Sequence, residues 1–326
     1  MKNRGFTLME LLGVIIILAL LMIIVFPSII NSVKNSSNKT DTLTKELIYN
    51  AADLFISEHK NDFPKMNGSK YSIELKDLVD EGFLISPIKL SDSDLDITNS
   101  KCIQVIYQGS YNYELKDTGT CKYQINYNLP SEYQQVEYIA STGTQYIDTG
   151  YIPNNDPTKE LYFETVSMLT STQSLPDKCV GGVDEGNYQI KLPNYSGSNV
   201  EVNLYYKSNT AFRRINNEKV KFIAQGKSGS QYFEYNGASL TANEVKTIKI
   251  SNPIYLFGIN NANNNSTPWN FIGRIYYALF KENDVPVREF IPCYRVSDNV
   301  IGMYDRVNNI FYTNLGTGTF EKGNDV

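Results

Sequence analysis

Met1-Lys2-Asn3-Arg4-Gly5-Phe6-Thr7-Leu8-Met9-Glu10 opens the chain, and from Phe6 the sequence stays apolar to Phe26 with Glu10 as its one charge, before Pro27. At ~1.5 Å per helical residue a run of this length covers about 30 Å, the hydrocarbon thickness of a bilayer. Lys2 and Arg4 hold the short leader on the cytoplasmic side, so everything after Phe26 is expected outside. Phe26-Pro27-Ser28-Ile29-Ile30 offers no small-residue cleavage site of the secretory kind, and the apolar helix is expected to be retained. A carboxylate inside such a helix costs roughly 2.5–3.5 kcal/mol on insertion scales. Glu10 therefore needs a partner or a function, which a plain anchor would not supply.

Gly5-Phe6-Thr7-Leu8-Met9-Glu10, with the apolar run and Pro27 behind it, resembles the class III signal of type IV pilins and pseudopilins. The resemblance implies that prepilin peptidase cuts after Gly5, removing residues 1–5 as a leader, and methylates the new amino group of Phe6. Residues 6–27 then remain as a transmembrane and polymerisation helix, and a pilus assembly platform and other pilin subunits become partners. Glu10 would pair with the Phe6 amine of a neighbouring subunit, which gives the buried charge its cation. Gly13 and Pro27 are weak points at which the family's helix loosens on entering the filament. The motif suits a pilus subunit and a secretion or DNA-uptake pseudopilin alike.

Beyond Pro27, Ile29, Ile30, Val33, Leu43, Leu47, Ala51, Leu54 and Phe55 recur at three- and four-residue spacings, and the helix is expected to run to about Lys60, ended by Pro64 and Gly68. One face should pack on a small antiparallel sheet, giving residues 28–128 the α+β plan of a pilin head. Residues 73–84 read as a short helix capped by Gly82, and 103–107 with 111–115 as a hairpin around Gly109. Cys102 and Cys121 share this small unit and are the preferred disulfide, whereas Cys179 and Cys293 remain open between a second bridge and two buried thiols. Asp92, Asp94 and Asp96 invite a calcium reading, but Ile97 and Ile103 stand where an EF-hand loop needs Gly and Glu, so a solvated acidic loop is expected. His59, the only histidine, has no nucleophile or paired carboxylate suggested beside it, and no metal site or cofactor is expected.

From Leu129-Pro130-Ser131 helical periodicity gives way to short alternating strands, Gly/Asn/Pro turns and many tyrosines. Residues 129–326 are therefore expected to form an antiparallel all-β jelly-roll sandwich. Candidate strands are 160–168, 188–192, 200–206, 220–224, 231–235, 245–250, 254–258, 271–280, 285–291 and 310–313. Tyr138-Ile-Ala-Ser-Thr-Gly-Thr-Gln-Tyr-Ile-Asp-Thr-Gly150, Arg288-Glu-Phe-Ile-Pro-Cys-Tyr-Arg295, Gly302-Met-Tyr-Asp305 and Phe311-Tyr-Thr-Asn-Leu-Gly-Thr-Gly-Thr-Phe320 resemble concanavalin A-like (laminin G-like) domains of bacterial surface proteins. That resemblance implies glycan or protein binding, or a structural role. A glycosidase on such a fold would use a Glu-x-Asp-x-x-Glu strand. Glu282-Asn283-Asp284-Val285-Pro286-Val287 begins that way and ends in Val, with Glu289 two positions further, so no enzyme is expected and no catalytic residue is assigned. Candidate ligand contacts are Trp269, in a loop of Asn and Ser, and Asp184 with Glu185, in a Gly-rich turn.

The 326 residues carry a net charge of −5 with no basic stretch alternating with aromatics, so nucleic acid is not an expected partner. No Leu-Pro-x-Thr-Gly signal precedes Val326, and surface retention is expected to fall to the membrane run 6–26. These readings converge on a minor type IV pilin that presents a lectin-like sandwich at the filament tip as an adhesin for glycans or surface ligands. The alternatives are a pseudopilin of a secretion or DNA-uptake system and a structural pilin whose sandwich binds nothing. The precursor would be a single-pass protein of the cytoplasmic membrane and the mature subunit extracellular.

Overall fold

The computed structural model describes residues 39–60, 62–91, 95–170, 178–261 and 270–326. Gly5, Phe6, Glu10, Gly13, Pro27, Asp92, Asp94 and Trp269 lie outside them. The chain divides into two compact units, residues 1–126 and 127–326.

In the first unit a helix spans residues 39–58. Ile48, Ala51, Ala52, Phe55 and Ile56 recur at helical spacing and are buried against Tyr71, Ile73, Leu75, Leu78, Ile103 and Val105. The sheet under the helix has three antiparallel strands, with Lys101–Tyr107 between Lys70–Glu74 and Tyr111–Asp117. Two expectations change here. The helix expected from Ile73 starts only at Leu75 and runs to Asp80, because Ile73 and Glu74 pair with Ile103 and Cys102 in the sheet. Leu43, Leu47 and Leu54, grouped with the packing residues by spacing, are instead 56%, 62% and 59% exposed. The helix carries two apolar stripes, and only the one containing Ala51 and Phe55 meets the sheet. Cys102 and Cys121 form a disulfide in this unit.

The second unit is a sandwich of an 8-stranded and an 11-stranded sheet. The path of the smaller sheet is Tyr206–Arg213, Asn199–Leu204, Gln189–Ser196, Gly181–Asp184, Tyr255–Leu256, Ile147–Asp148. That of the larger is Ala238–Ala242, Ser230–Tyr235, Val220–Lys227, Leu161–Leu169, Ile272–Glu282, Val285–Arg295, Ile301–Asp305, Ile310–Thr313. Alternate residues turn inward from both: Val183, Ile190, Leu192, Val200 and Val202 from the smaller, Phe163, Phe222, Phe233, Phe280 and Phe290 from the larger, in one continuous core. Among the described residues the paired strands run antiparallel except for Ile259–Asn261, which lies parallel to Gly181–Asp184.

The structure departs from the sequence reading of this unit at several places, and strands such as Tyr206–Arg213, Ala238–Ala242 and Ile301–Asp305 are not among the candidates. Residues 245–250 form no strand, although Ile248 and Ile250 are buried. The Asn155 side chain takes the place of a ladder there, accepting from Ile250 N at 2.8 Å and donating to Ile250 O at 2.9 Å. Asp184, placed with Glu185 in a Gly-rich turn, instead ends the strand Gly181–Asp184, an inner strand of the smaller sheet. Glycine is required at its centre because a Cβ on Gly182 would collide with the Ile190 carbonyl oxygen.

Candidate functional site

Asp184 ends the Gly181–Asp184 strand and is buried, and its carboxylate accepts from Gly186 N and Gln189 Nε2, both at 2.9 Å. Glu185 turns the other way and accepts four bonds from the Ser251 and Asn252 backbone and side chains at 2.6–3.0 Å. Burial pushes the Glu185 carboxyl up, but those donors outweigh it and hold the group below its ordinary range. Both carboxylates thus clamp turns. Glu282 and Glu289 also part company. Glu282 accepts from the core-side Tyr151 hydroxyl at 2.7 Å and from Asn154 N at 3.1 Å, whereas Glu289 lies on the outer face of the larger sheet beside Tyr277 and Arg306. Cys179 and Cys293 are buried free thiols, pushed up by burial to about 11 and about 12 respectively.

Asp96 accepts from Ser86 Oγ, Ile88 N, Thr98 N and Thr98 Oγ1 at 2.6–3.0 Å, so this member of the acidic loop is committed to protein donors. His59 stacks on Phe55 with ring centroids 4.2 Å apart and faces Glu81 at 3.4 Å. A cavity of about 380 Å3 opens beside the end of the helix, lined by Ile56, Phe63, Pro64 and Tyr111 with Asp53 and Lys60 among its polar residues. Its wall is mainly apolar and brings no reactive set together.

Polar and aromatic groups converge most on the outer face of the larger sheet. Strand alternation turns Phe163 and Phe233 into the core and so turns Tyr162, Glu164, Tyr232 and Glu234 out. Pairing then sets two rows across the strands: Glu234, Ile223, Glu164, Leu279, Glu289, and beside it Tyr232, Gln225, Tyr162, Lys281. Each carboxylate has a tyrosine donor: Tyr162 to Glu164 at 2.6 Å, Tyr232 to Glu234 at 2.8 Å and Tyr277 to Glu289 at 3.0 Å. Burial and then Glu164 push the Tyr162 phenol up, and the bond to Glu234 does the same for Tyr232, so both remain donors. Lys281 Nζ sits 4.7 Å over the Tyr162 ring. Aromatic faces interleaved with carboxylates and an amide are chemistry suited to a polar, hydroxyl-rich ligand. The sequence carries this signal as a repeated Tyr-Phe-Glu, at 162–164 and 232–234, which the general abundance of tyrosine in strands masks.

No helix among the described residues is long and apolar enough to cross a membrane, and the run 6–26 lies outside them. The family described as the prokaryotic N-terminal methylation motif matches residues 1–26. The chain carries a prepilin-type methylation motif. That motif implies a membrane-anchored precursor, processing by prepilin peptidase and assembly with other pilins. No curated protein sequence matches the chain. Among solved structures it is similar to a candidate carbohydrate-binding protein from Bacteroides ovatus, with TM-score 0.42 and 10% identity over 81% of this chain and 91% of that one. It is also similar to domains LG4-5 of the mouse laminin alpha1 chain, with TM-score 0.36 and 10% identity over 62% of this chain and 49% of that one.

Proposed function

We propose that the chain is a minor type IV pilin whose sandwich is displayed at the filament tip for adhesion to a glycan or another surface ligand. The observation that carries the pilin reading is the methylation motif of residues 1–26, with Glu10 set in an otherwise apolar run. The exposed Leu43, Leu47 and Leu54 stripe supports it, since these side chains lie within a narrow arc of one helix face that a second copy would cover. The small helix-and-sheet unit before residue 127 is read as the pilin head. A minor, tip position follows from bulk: the 127–326 unit is larger than that head and would crowd a fibre that carried it on every subunit. The binding reading rests on the outer rows of Tyr162, Glu164, Tyr232, Glu234 and Gln225, with Trp269 as an added candidate contact. We read the sandwich as a binding module and not an enzyme, with Glu282 and Glu289 serving different sides of the sheet.

Two experiments test this. Gly5→Leu should leave uncleaved precursor in the membrane, and normal processing of that variant would sink the pilin reading. Residues 127–326, offered to a broad glycan array beside Tyr232→Ala and Trp269→Ala, should bind selectively and lose binding in at least one variant. A blank array would turn the reading to a protein ligand or a spacer.

A further inference from the structure

The strand Gln189–Ser196 sends Ile190 and Leu192 into the sandwich core, so Lys191 points away from it. With unbroken alternation Asn194 would stand on the face opposite Lys191. It does not, because the register against Asn199–Leu204 slips between the pairs Lys191↔Asn203 and Asn194↔Glu201. One extra residue is taken up at Leu192-Pro193, and proline, with no N–H for the ladder, is at home in such a bulge. The bulge therefore brings a lysine, an asparagine and a glutamate onto one face. Lys191 Nζ and Asn194 Nδ2 each lie 3.0 Å from the same Glu201 oxygen, Oε2, so the two nitrogens are no more than twice that distance apart. The trio is nearly sealed from water, with Lys191 4% exposed, Asn194 0% and the Glu201 side chain 12%.

A buried ion pair with an amide beside it would account for part of this. Two details go further. An asparagine serving only as scaffold is held at both ends of its amide, whereas Asn194 Oδ1 is buried with no hydrogen-bond partner. The shared Oε2 touches both the nitrogen that would lose a proton in amide exchange and the nitrogen that would have to gain one. Buried charges also cost desolvation, which a well-packed apolar set would avoid.

We propose that Lys191 and Asn194 join through an intramolecular amide bond, with Glu201 as the proton carrier. Glu201 takes a proton from Lys191 Nζ, and the free amine attacks Asn194 Cγ. The new Nζ–Cγ bond forms as Oε2 returns the proton to Nδ2, the Cγ–Nδ2 bond breaks, and ammonia departs, leaving as ammonium with the remaining proton of the lysine. No oxidant or co-reactant enters. The amide N–H that results can donate to Oε2, and the ring closed across Leu192-Pro193 fixes the bulge covalently.

Tryptic digestion of the full-length chain, followed by peptide mass measurement, decides the matter. The expected result is no cleavage after Lys191 and a peptide from Cys179 to Lys207 lighter than its sequence by one ammonia. Glu201→Gln, which keeps the shape and removes the proton carrier, should restore both the mass and the cut. In Lys191→Met, Asn194 should keep its ammonia. Cleavage of the wild-type chain after Lys191 at full mass would overturn the proposal. So would ammonia loss from a peptide still cut after Lys191, because that marks a succinimide formed by Asn194 alone.

Discussion

Asp96 shows how a single carboxylate can organise a loop. Thr98 foremost, then Ser86, hold its carboxyl well below the ordinary value of 3.8. A group depressed on folding contributes stability that is complete above the unfolded value and is lost as pH falls through the lower folded one. Residues 1–126 should therefore weaken on acidification between about pH 5 and about pH 2, and Asp96→Asn should flatten that dependence. Chemical denaturation across this range checks it; an unchanged slope in the variant would remove Asp96 from the account. Residue-level reading from sequence had limits of a plain kind. Asp184 and Glu185 invited a ligand role because carboxylates beside glycines resemble a binding turn, yet their donors come from Gln189, Ser251 and Asn252, the last two far away in the chain.

Elements with strong periodicity were legible and those shaped by tertiary packing were not. The strand 161–169 and the hairpin arms 101–107 and 111–117 follow from alternation, and the turn between 272–282 and 285–295 from Asn283-Asp284, both with positive φ. Gly181–Asp184 was illegible as a strand because glycine has no strand propensity; its place depends on the close approach of Ile190. The bulge at Leu192-Pro193 is invisible in the sequence for the same reason, since it exists only as a register against another strand. For the helix 39–58, spacing could not say which of two apolar stripes would be covered. Leu47→Lys should thus change folding stability by no more than about 0.5 kcal/mol, as exposed positions do, while preventing incorporation into filaments. Thermal melting and electron microscopy of the variant separate the two effects, and filaments at normal abundance would remove the stripe from assembly.

At the scale of the whole molecule the two units differ in how they are held. The first has the Cys102–Cys121 disulfide, whereas Cys179 and Cys293 in the second are thiols. Reduction should lower the stability of residues 1–126 by about 3 kcal/mol in the chain-entropy model and leave the sandwich transition where it is. Differential scanning calorimetry with and without reductant reads this as one shifted and one unshifted transition; movement of both would contradict it. The sandwich also has its two ends laced together: Val136 bridges Asp325, Glu137 N donates to Asn324 O at 2.9 Å, and Val326 N donates to Gln135 O at 3.0 Å. A fold whose entry and exit share one corner can be set into a loop of an unrelated carrier without rerouting a strand. That is the geometry an exchangeable cassette needs, since recombination at a single corner would move such a fold between carriers.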